Sequence, residues 1–213
     1  MIRLGYWATH EYVRLNVKEY SEEFVGWEPL KQLVNLAENP RDKAFLATLF
    51  LTGGRVSEVL ALRKNNFEIR RDEGLIIVKG MPLLKRYKKI QEITGVEGRK
   101  WITERLEKTR KPFPILLDEP LTSTMLEWVE QIPDKDGLLF PSPYRIGKPL
   151  TRFWAYRLIR SLDGKVKVKP WLSRKLGLDK PLKVKGKVYS DNIHLWLHFF
   201  RSQRACCLVS EFG

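Results

Sequence analysis

The sequence predicts a mainly helical α+β domain that contains a small antiparallel sheet. Several segments carry apolar residues at helical spacing, and three short β-like runs lie in one part of the chain, at Asn66 to Arg70, Leu75 to Lys79 and Pro114 to Leu117. The length of 213 residues and a hydrophobic content of 43% suffice for one substantial domain. We assign residues 26–213 to this domain and interpret residues 1–25, which lack strong periodicity, as an N-terminal arm or linker remnant.

Helical segments precede the β-like runs. Trp27 to Glu38 has the spacing of a short amphipathic helix. Asn39-Pro40 breaks this helix, and Pro40 opens a buried helix that runs to Thr52 and ends at Gly53-Gly54. A further short helix is expected from Val56 to Leu62. Asp72, Glu73 and Gly74 then form the turn between the first two β-like runs.

Further helices are predicted in the second half of the chain, at Lys100 to Lys108, Leu121 to Ile132, Leu150 to Leu162 and Asp191 to Glu211. The buried face of the third of these is expected to consist of Phe153, Trp154, Leu158 and Ile159. Between the last two helices lies a Lys-rich stretch from Gly164 to Tyr189. We interpret it as a basic hairpin or loop.

The charge of the chain is strongly positive, with 39 Lys and Arg against 25 Asp and Glu, a net charge of +14. Such an excess predicts attraction to a polyanion, and a nucleic-acid backbone is the leading interpretation; a solvated basic surface is the alternative. The adjacent Cys206 and Cys207 do not indicate a disulfide scaffold, and the three histidines lack the spacing of a zinc site, so we expect no metal or cofactor. Without an apolar run of membrane-spanning length or a signal segment, the sequence predicts a cytoplasmic protein.

The first candidate site is the stretch Thr52-Gly53-Gly54-Arg55-Val56-Ser57-Glu58. Two glycines end one helix, Arg55 begins the next, and Glu58 follows at i,i+3, where it can hold the guanidinium. The pattern fits a helix start with a local ion pair. It fits a phosphate clamp equally well, because an arginine beside a tight turn at a helix N-terminus is placed to bind an anion.

The second candidate site is His198-Phe199-Phe200-Arg201. A spacing of three puts His198 and Arg201 on one face of the predicted helix, and the apolar neighbours indicate that this helix is deeply packed. In such surroundings the two side chains are either a satisfied structural pair or the binding groups of a ligand. Arg204 continues the same face, and we expect it to contact DNA.

Lysines supply the third candidate feature. Lys79 ends the second β-like run and Lys85 follows a Pro-containing turn, and a lysine at the tip of a hairpin can reach a DNA groove; a solvated lysine is the alternative. The basic stretches are expected to contact backbone phosphates. The residues concerned are Arg86, Lys88, Lys89, Lys165, Lys167, Lys183 and Lys185.

Together these patterns resemble the catalytic domain of the tyrosine recombinases, a family of DNA integrases. The stretch from Thr52 to Leu62 resembles the first arginine box of the family. His198-x-x-Arg201 resembles the second box, and Gly213 falls near the glycine that ends it. The residues Phe199-Phe200-Arg201-Ser202 differ from the sequence that is more usual in this box. The resemblance covers roughly residues 27–213 and is strongest to integrases of archaeal viruses and plasmids.

The resemblance implies DNA strand cleavage and rejoining through a 3′-phosphotyrosyl intermediate, without a metal. The catalytic residues it implies are Arg55, Lys85, His198 and Arg201, with Glu58 and Lys79 in supporting roles. Arg55, His198 and Arg201 would surround the scissile phosphate. Lys85, with Lys79 as the alternative, would protonate the leaving 5′ oxygen, and Glu58 would orient Arg55. Guanidinium forks suit this reaction because extra negative charge develops on the non-bridging oxygens of the phosphorane.

The family's nucleophilic tyrosine lies well beyond the second box, whereas this sequence runs only to Gly213, and Tyr189 precedes the box. We therefore expect the 213-residue chain alone not to cleave DNA. Residues 1–25 are also too short for the family's N-terminal DNA-clamping domain. Two alternatives remain: a non-catalytic DNA-binding module derived from an integrase, and a protein similar to type IB topoisomerases. The expected partners are double-stranded DNA and, for a full-length recombinase, other protomers, with no membrane.

Overall fold

The computed structural model describes residues 24–82, 109–167, 182–184, 187–189, 195 and 198–212. The helices of this part of the chain are α1 (Trp27–Asn35), α2 (Pro40–Thr52), α3 (Val56–Leu60), α4 (Thr122–Gln131), α5 (Arg152–Leu162) and α6 (Phe199–Phe212). Strands β1 (Phe67–Arg70), β2 (Leu75–Val78) and β3 (Phe113–Leu116) form an antiparallel sheet in that order, and β4 (Leu182–Val184) pairs with β5 (Lys187–Tyr189). The mainly helical α+β class that the sequence predicts is therefore confirmed. None of the described helices is long and apolar enough to cross a membrane.

Helix α2 is the centre of the core, since α1, α3, α4 and α6 all pack against it. Its start is fixed by Asn39, whose side-chain oxygen accepts a hydrogen bond from the Asp42 N–H at 2.9 Å, and by Pro40 in the first turn. The buried hydroxyls of Thr48 and Thr52 each donate to the carbonyl four residues earlier. These bonds let two polar side chains lie inside the core without an unsatisfied donor.

The three-stranded sheet covers one side of this core. A short 3₁₀ turn, Arg71–Glu73, joins β1 to β2, and Gly74 closes it with a φ of 68°, which agrees with the predicted turn. Ile76 of β2 faces Ile115 of β3 in the register, and both side chains are buried. Alternate residues of β2 therefore point into the core, as expected of a half-buried strand.

The predicted buried face of α5 is wrong at Phe153, whose surface is 67% exposed. The buried side chains of this helix are Ala155, Ile159 and Leu162, at i, i+4 and i+7. Phe153 precedes Ala155 by two residues and therefore lies on the opposite side of the helix. The predicted inward positions of Ile159, Trp154 and Leu158 agree with the structure, the latter two being partly buried against the core.

The last helix begins later than the sequence predicts, at Phe199 instead of Asp191. Leu195 is non-helical and buried, and its N–H donates to Asp163 Oδ1 at 2.7 Å, which anchors this part of the chain to the end of α5. The carbonyl of His198 accepts the N–H of Ser202 at 3.0 Å, so His198 directly precedes the helix. Of the predicted helical segment before Leu195, residues 191–194 lie outside the described residues.

Arg204 lies in the core, where it makes a two-point ion pair with Glu119. Both side chains are less than 10% exposed, and the second contact, from Nη2 to Oε2, measures 3.1 Å. The guanidinium also lies over the ring of Phe50, 5.7 Å from its centroid. The expected DNA contact by Arg204 does not fit this buried placement, because the guanidinium is already bound to the carboxylate of Glu119.

The packed domain begins slightly before the predicted boundary. Phe24 lies 6.5 Å from the ring of Phe50, measured between centroids, and the Val25 N–H donates to Gln203 Oε1 at 2.8 Å. These contacts connect the start of the described chain to α2 and α6. The predicted arm thus contributes its last two residues to the domain, and residues 1–23 lie outside the described part.

The Glu119–Arg204 pair predicts a stability effect. Arg204→Met should lower the free energy of unfolding by about 3 to 5 kcal/mol, because it leaves the carboxylate buried without its partner. The measurement is urea unfolding followed by tryptophan fluorescence. Arg160→Met is the matched control: it removes an exposed arginine paired with Asp163, and should change the same quantity by less than about 1 kcal/mol. Equal losses in the two variants would contradict the assignment.

Candidate functional site

The turn between α2 and α3 consists of two glycines that are required for different reasons. Gly53 has a φ of 54° and ends α2, its N–H donating to the Phe50 carbonyl at 3.0 Å. At Gly54 a Cβ would lie 2.2 Å from Met81 Cε and 2.8 Å from Val59 Cγ2. The absence of a side chain here lets Met81, which follows β2, pack directly on the start of α3.

Glu58 is the centre of the candidate site, because its side chain is fully buried and binds two arginines. Oε1 accepts a hydrogen bond from Arg55 Nη1 at 2.7 Å, in the i,i+3 arrangement expected from the sequence. Oε2 accepts from the backbone N–H of Arg55 at 2.9 Å and from Arg110 Nη2 at 2.8 Å. The carboxylate therefore caps α3 and fixes the guanidinium of Arg55.

Arg110 is a site residue that the sequence analysis missed. Its backbone N–H donates to the Met81 carbonyl at 2.8 Å, and the neighbouring Thr109 forms an antiparallel bridge with Pro82. Pro82 and Thr109 thus lie side by side, and Arg110 is the neighbour of Met81 on the adjacent segment. Arg110 and Glu58 are 52 positions apart, so no local pattern signals their pairing.

Arg201, near the start of α6, carries the unusual electrostatics of the site. Its Nη1 is buried and has no hydrogen-bond partner among the described residues. Burial lowers the pKa of Arg201, the positive charges of Arg55 and Arg110 lower it further, and Glu58 acts in the opposite direction. The three guanidiniums, which we call the arginine cluster, therefore share one neighbourhood with one carboxylate and carry an excess of two positive charges.

A buried donor without an acceptor is costly, and the cost grows when like charges surround it. An anion with several acceptor oxygens would relieve both penalties in the arginine cluster. The side chains of Arg55 and Arg110 remain 30% and 22% exposed, so the cluster is open to solvent on one side. The arrangement is thus chemically suited to bind an oxyanion.

The other predicted catalytic residues are described as follows. His198 is exposed at the start of α6, three residues before Arg201. Lys79 directly follows β2, and its Nζ donates to Glu68 Oε2 of β1 at 2.8 Å. That bond, together with Arg70, lowers the pKa of Glu68. Lys85 is outside the described residues.

The predicted DNA-contacting residues are only partly described. Lys165 and Lys167 are exposed directly after α5, and the backbone of Lys183 in β4 pairs with Val188. Arg86, Lys88, Lys89 and Lys185 lie outside the described residues.

A second basic feature is the outer face of α5, which we call the α5 surface. Its exposed residues are Arg152, Phe153, Tyr156, Arg157 and Arg160. The loop that precedes α5 adds Tyr144 and Ile146, which are exposed almost completely, together with Arg145 and Lys148. Helix α5 packs against α3, so the α5 surface and Arg55 are carried by neighbouring helices.

Comparisons of the chain with models of known protein families, with curated proteins and with solved structures found no match. Within the described residues, no group of three or more His, Cys, Asp or Glu side chains is placed to hold a metal ion.

The arginine cluster predicts opposite stability effects for two substitutions of equal charge. Arg201→Met should raise the free energy of unfolding by about 1 kcal/mol at neutral pH, because it removes a desolvated donor and a like charge. Arg55→Met should lower it, because buried Glu58 loses its closest guanidinium. Thermal unfolding followed by circular dichroism measures both, with the exposed Arg157→Met as the control. Destabilisation by Arg201→Met would contradict the assigned electrostatics.

Proposed function

We propose that this chain binds duplex DNA, holds a backbone phosphate in the arginine cluster, and supplies the phosphate-binding part of a site for DNA strand cleavage and rejoining of the tyrosine-recombinase type. The observation that carries the proposal is the buried Nη1 of Arg201, which lies near the charges of Arg55 and Arg110 and finds no hydrogen-bond acceptor in the part of the chain that the structure describes. A phosphodiester offers two non-bridging oxygens to such donors, and guanidiniums bind them in a fixed geometry.

Glu58 supports this role by fixing Arg55 before any ligand arrives. Its two bonds to the backbone and side chain of Arg55 hold the guanidinium at the N-terminus of α3. A donor that is already in place loses little freedom when the phosphate binds or gains charge in the transition state. Glu58 is therefore proposed to position Arg55, without touching the DNA itself.

The remaining roles follow the resemblance to the family. His198, placed at the start of α6, is proposed to take part in proton transfer at the phosphate, and Lys85 to protonate the leaving 5′ oxygen. Strand cleavage further requires a tyrosine in line with the phosphate, which the family carries beyond its second arginine box. The arginine cluster would therefore need a segment that carries such a tyrosine in order to cleave DNA.

Duplex binding is proposed to involve the α5 surface and the lysines that follow it. Arginines there can contact phosphates, and the exposed Phe153 and Tyr156 add apolar contact area. The same surface favours a second candidate function, a non-catalytic DNA-binding module, because it accounts for DNA binding without the arginine cluster. The two candidates differ in whether cleavage depends on Arg55 and Arg201.

We expect duplex binding to depend steeply on salt, because Lys and Arg contacts to phosphates release counterions. The test is fluorescence anisotropy of a labelled duplex over a series of KCl concentrations. Replacing Arg152 and Arg157 together by Gln should reduce the slope of log K against log[KCl] by about 2, since each phosphate contact contributes roughly 0.9. Arg71→Gln should leave the slope unchanged, because it removes an exposed arginine that is paired with Glu130 on the turn between β1 and β2, outside the α5 surface. A slope near zero for the unaltered chain would exclude the proposed DNA binding.

A second test concerns cleavage in a protein in which this chain is followed by a tyrosine-bearing segment. Arg55→Ala and Arg201→Ala should each abolish formation of the covalent protein–DNA product, by roughly a hundredfold or more, while leaving most duplex binding. Denaturing gels of a labelled duplex measure the product, and Arg71→Ala, at an exposed arginine outside both the arginine cluster and the α5 surface, is the control. Full cleavage by either cluster variant would refute the site and favour the non-catalytic module.

A further inference from the structure

We infer that Arg110 is a third anion-binding residue of the arginine cluster, and that it gives the site a preference for a doubly charged oxyanion over a singly charged one. The inference deepens the proposed function and rests on it. Arg110 belongs to neither arginine box. The antiparallel bridge between Pro82 and Thr109 places it in the cluster.

Glu58 does not require Arg110. Both of its oxygens already accept hydrogen bonds from Arg55, Oε1 from the guanidinium and Oε2 from the backbone N–H. The charge of Arg55 also balances that of the buried carboxylate. Arg110 therefore adds a positive charge beyond what a structural carboxylate at a helix start would need.

Arg110 is nevertheless held firmly in place. Its backbone N–H is bound to the Met81 carbonyl, and its Nη2 is bound to Glu58 Oε2 at 2.8 Å. A guanidinium has five N–H donors, and the hydrogen bond to Glu58 is the one that the Arg110 side chain donates among the described residues. With 22% of the side chain exposed, the other donors are available to a ligand that enters the cluster.

The charge balance sets the preference of the site. Arg55, Arg110 and Arg201 with Glu58 carry an excess of two positive charges in partly desolvated surroundings. A singly charged ligand leaves one of these charges uncompensated, whereas a doubly charged ligand balances both. A phosphodiester is a monoanion that becomes doubly charged in its pentavalent transition state, so Arg110 would act mainly on that state.

The experiment compares two probes on the full chain: phenyl phosphate, a dianion at pH 8, and dimethyl phosphate, a monoanion. Isothermal titration calorimetry at constant ionic strength gives their affinities. We expect the unaltered chain to prefer phenyl phosphate by about tenfold, and Arg110→Met to reduce that ratio to nearly one. Arg110→Lys, which keeps the charge, should keep most of the preference. Arg71→Met is the matched control, because it removes an exposed arginine paired with Glu130.

The outcomes separate the two proposals. If the Arg55→Met and Arg201→Met variants bind both probes as tightly as the unaltered chain does, the proposed phosphate site is wrong, and the inference, which rests on it, is wrong as well. If these two variants lose binding while Arg110→Met keeps the tenfold ratio, the inference alone is overturned. Circular dichroism verifies folding, and should Arg110→Met not fold, Arg110→Gln is measured instead, because it removes the charge but keeps an N–H donor for Glu58. A loss of preference in Arg110→Gln would support the inference, and an unchanged ratio would overturn it.

Discussion

The carboxylate of Glu58 has no exposed surface, and a buried carboxylate is stable only when charged or polar donors surround it. The donors come from two parts of the chain: Arg55, which directly precedes the same short helix, and Arg110, which lies between β2 and β3 in the sequence. The hydrogen bonds of Glu58 to both arginines therefore connect the α2–α3 turn to the segment around Met81, which follows β2 and binds the backbone of Arg110. Gly54 makes this junction possible because a larger residue would displace Met81.

Helix α6 uses two arginines in opposite ways, although they are only three residues apart. Arg204 is fully matched by Glu119 and packs over Phe50, so it connects α6 to the core. Among the described residues, no carboxylate forms an ion pair with Arg201, and its Nη1 is buried without an acceptor. A protein selected for stability alone would satisfy both in the same way. The contrast is the reason for assigning a ligand to Arg201 and a structural role to Arg204.

Much of the fold can be predicted from local sequence. Asn39-Pro40 and Gly53 mark the ends of α2 because capping and left-handed φ depend on single residues. The Arg55–Glu58 pair is predictable for the same reason, since i,i+3 spacing on a helix is a local property. Arg110 and Glu119 escape prediction because their partners, Glu58 and Arg204, are 52 and 85 positions away and nothing in the sequence marks the contact.

The arginine cluster also bears on how function and stability relate in this chain. Each guanidinium beyond the one that Glu58 needs raises the electrostatic free energy of the unliganded fold, and burial of Arg201 adds to that cost. The cost is incurred during folding, before a ligand binds. An oxyanion that enters the cluster then meets donors that are already desolvated and held by Glu58, so little reorganisation opposes its binding. In the proposed function, the same charges that destabilise the unliganded fold would become the source of its affinity for the phosphate.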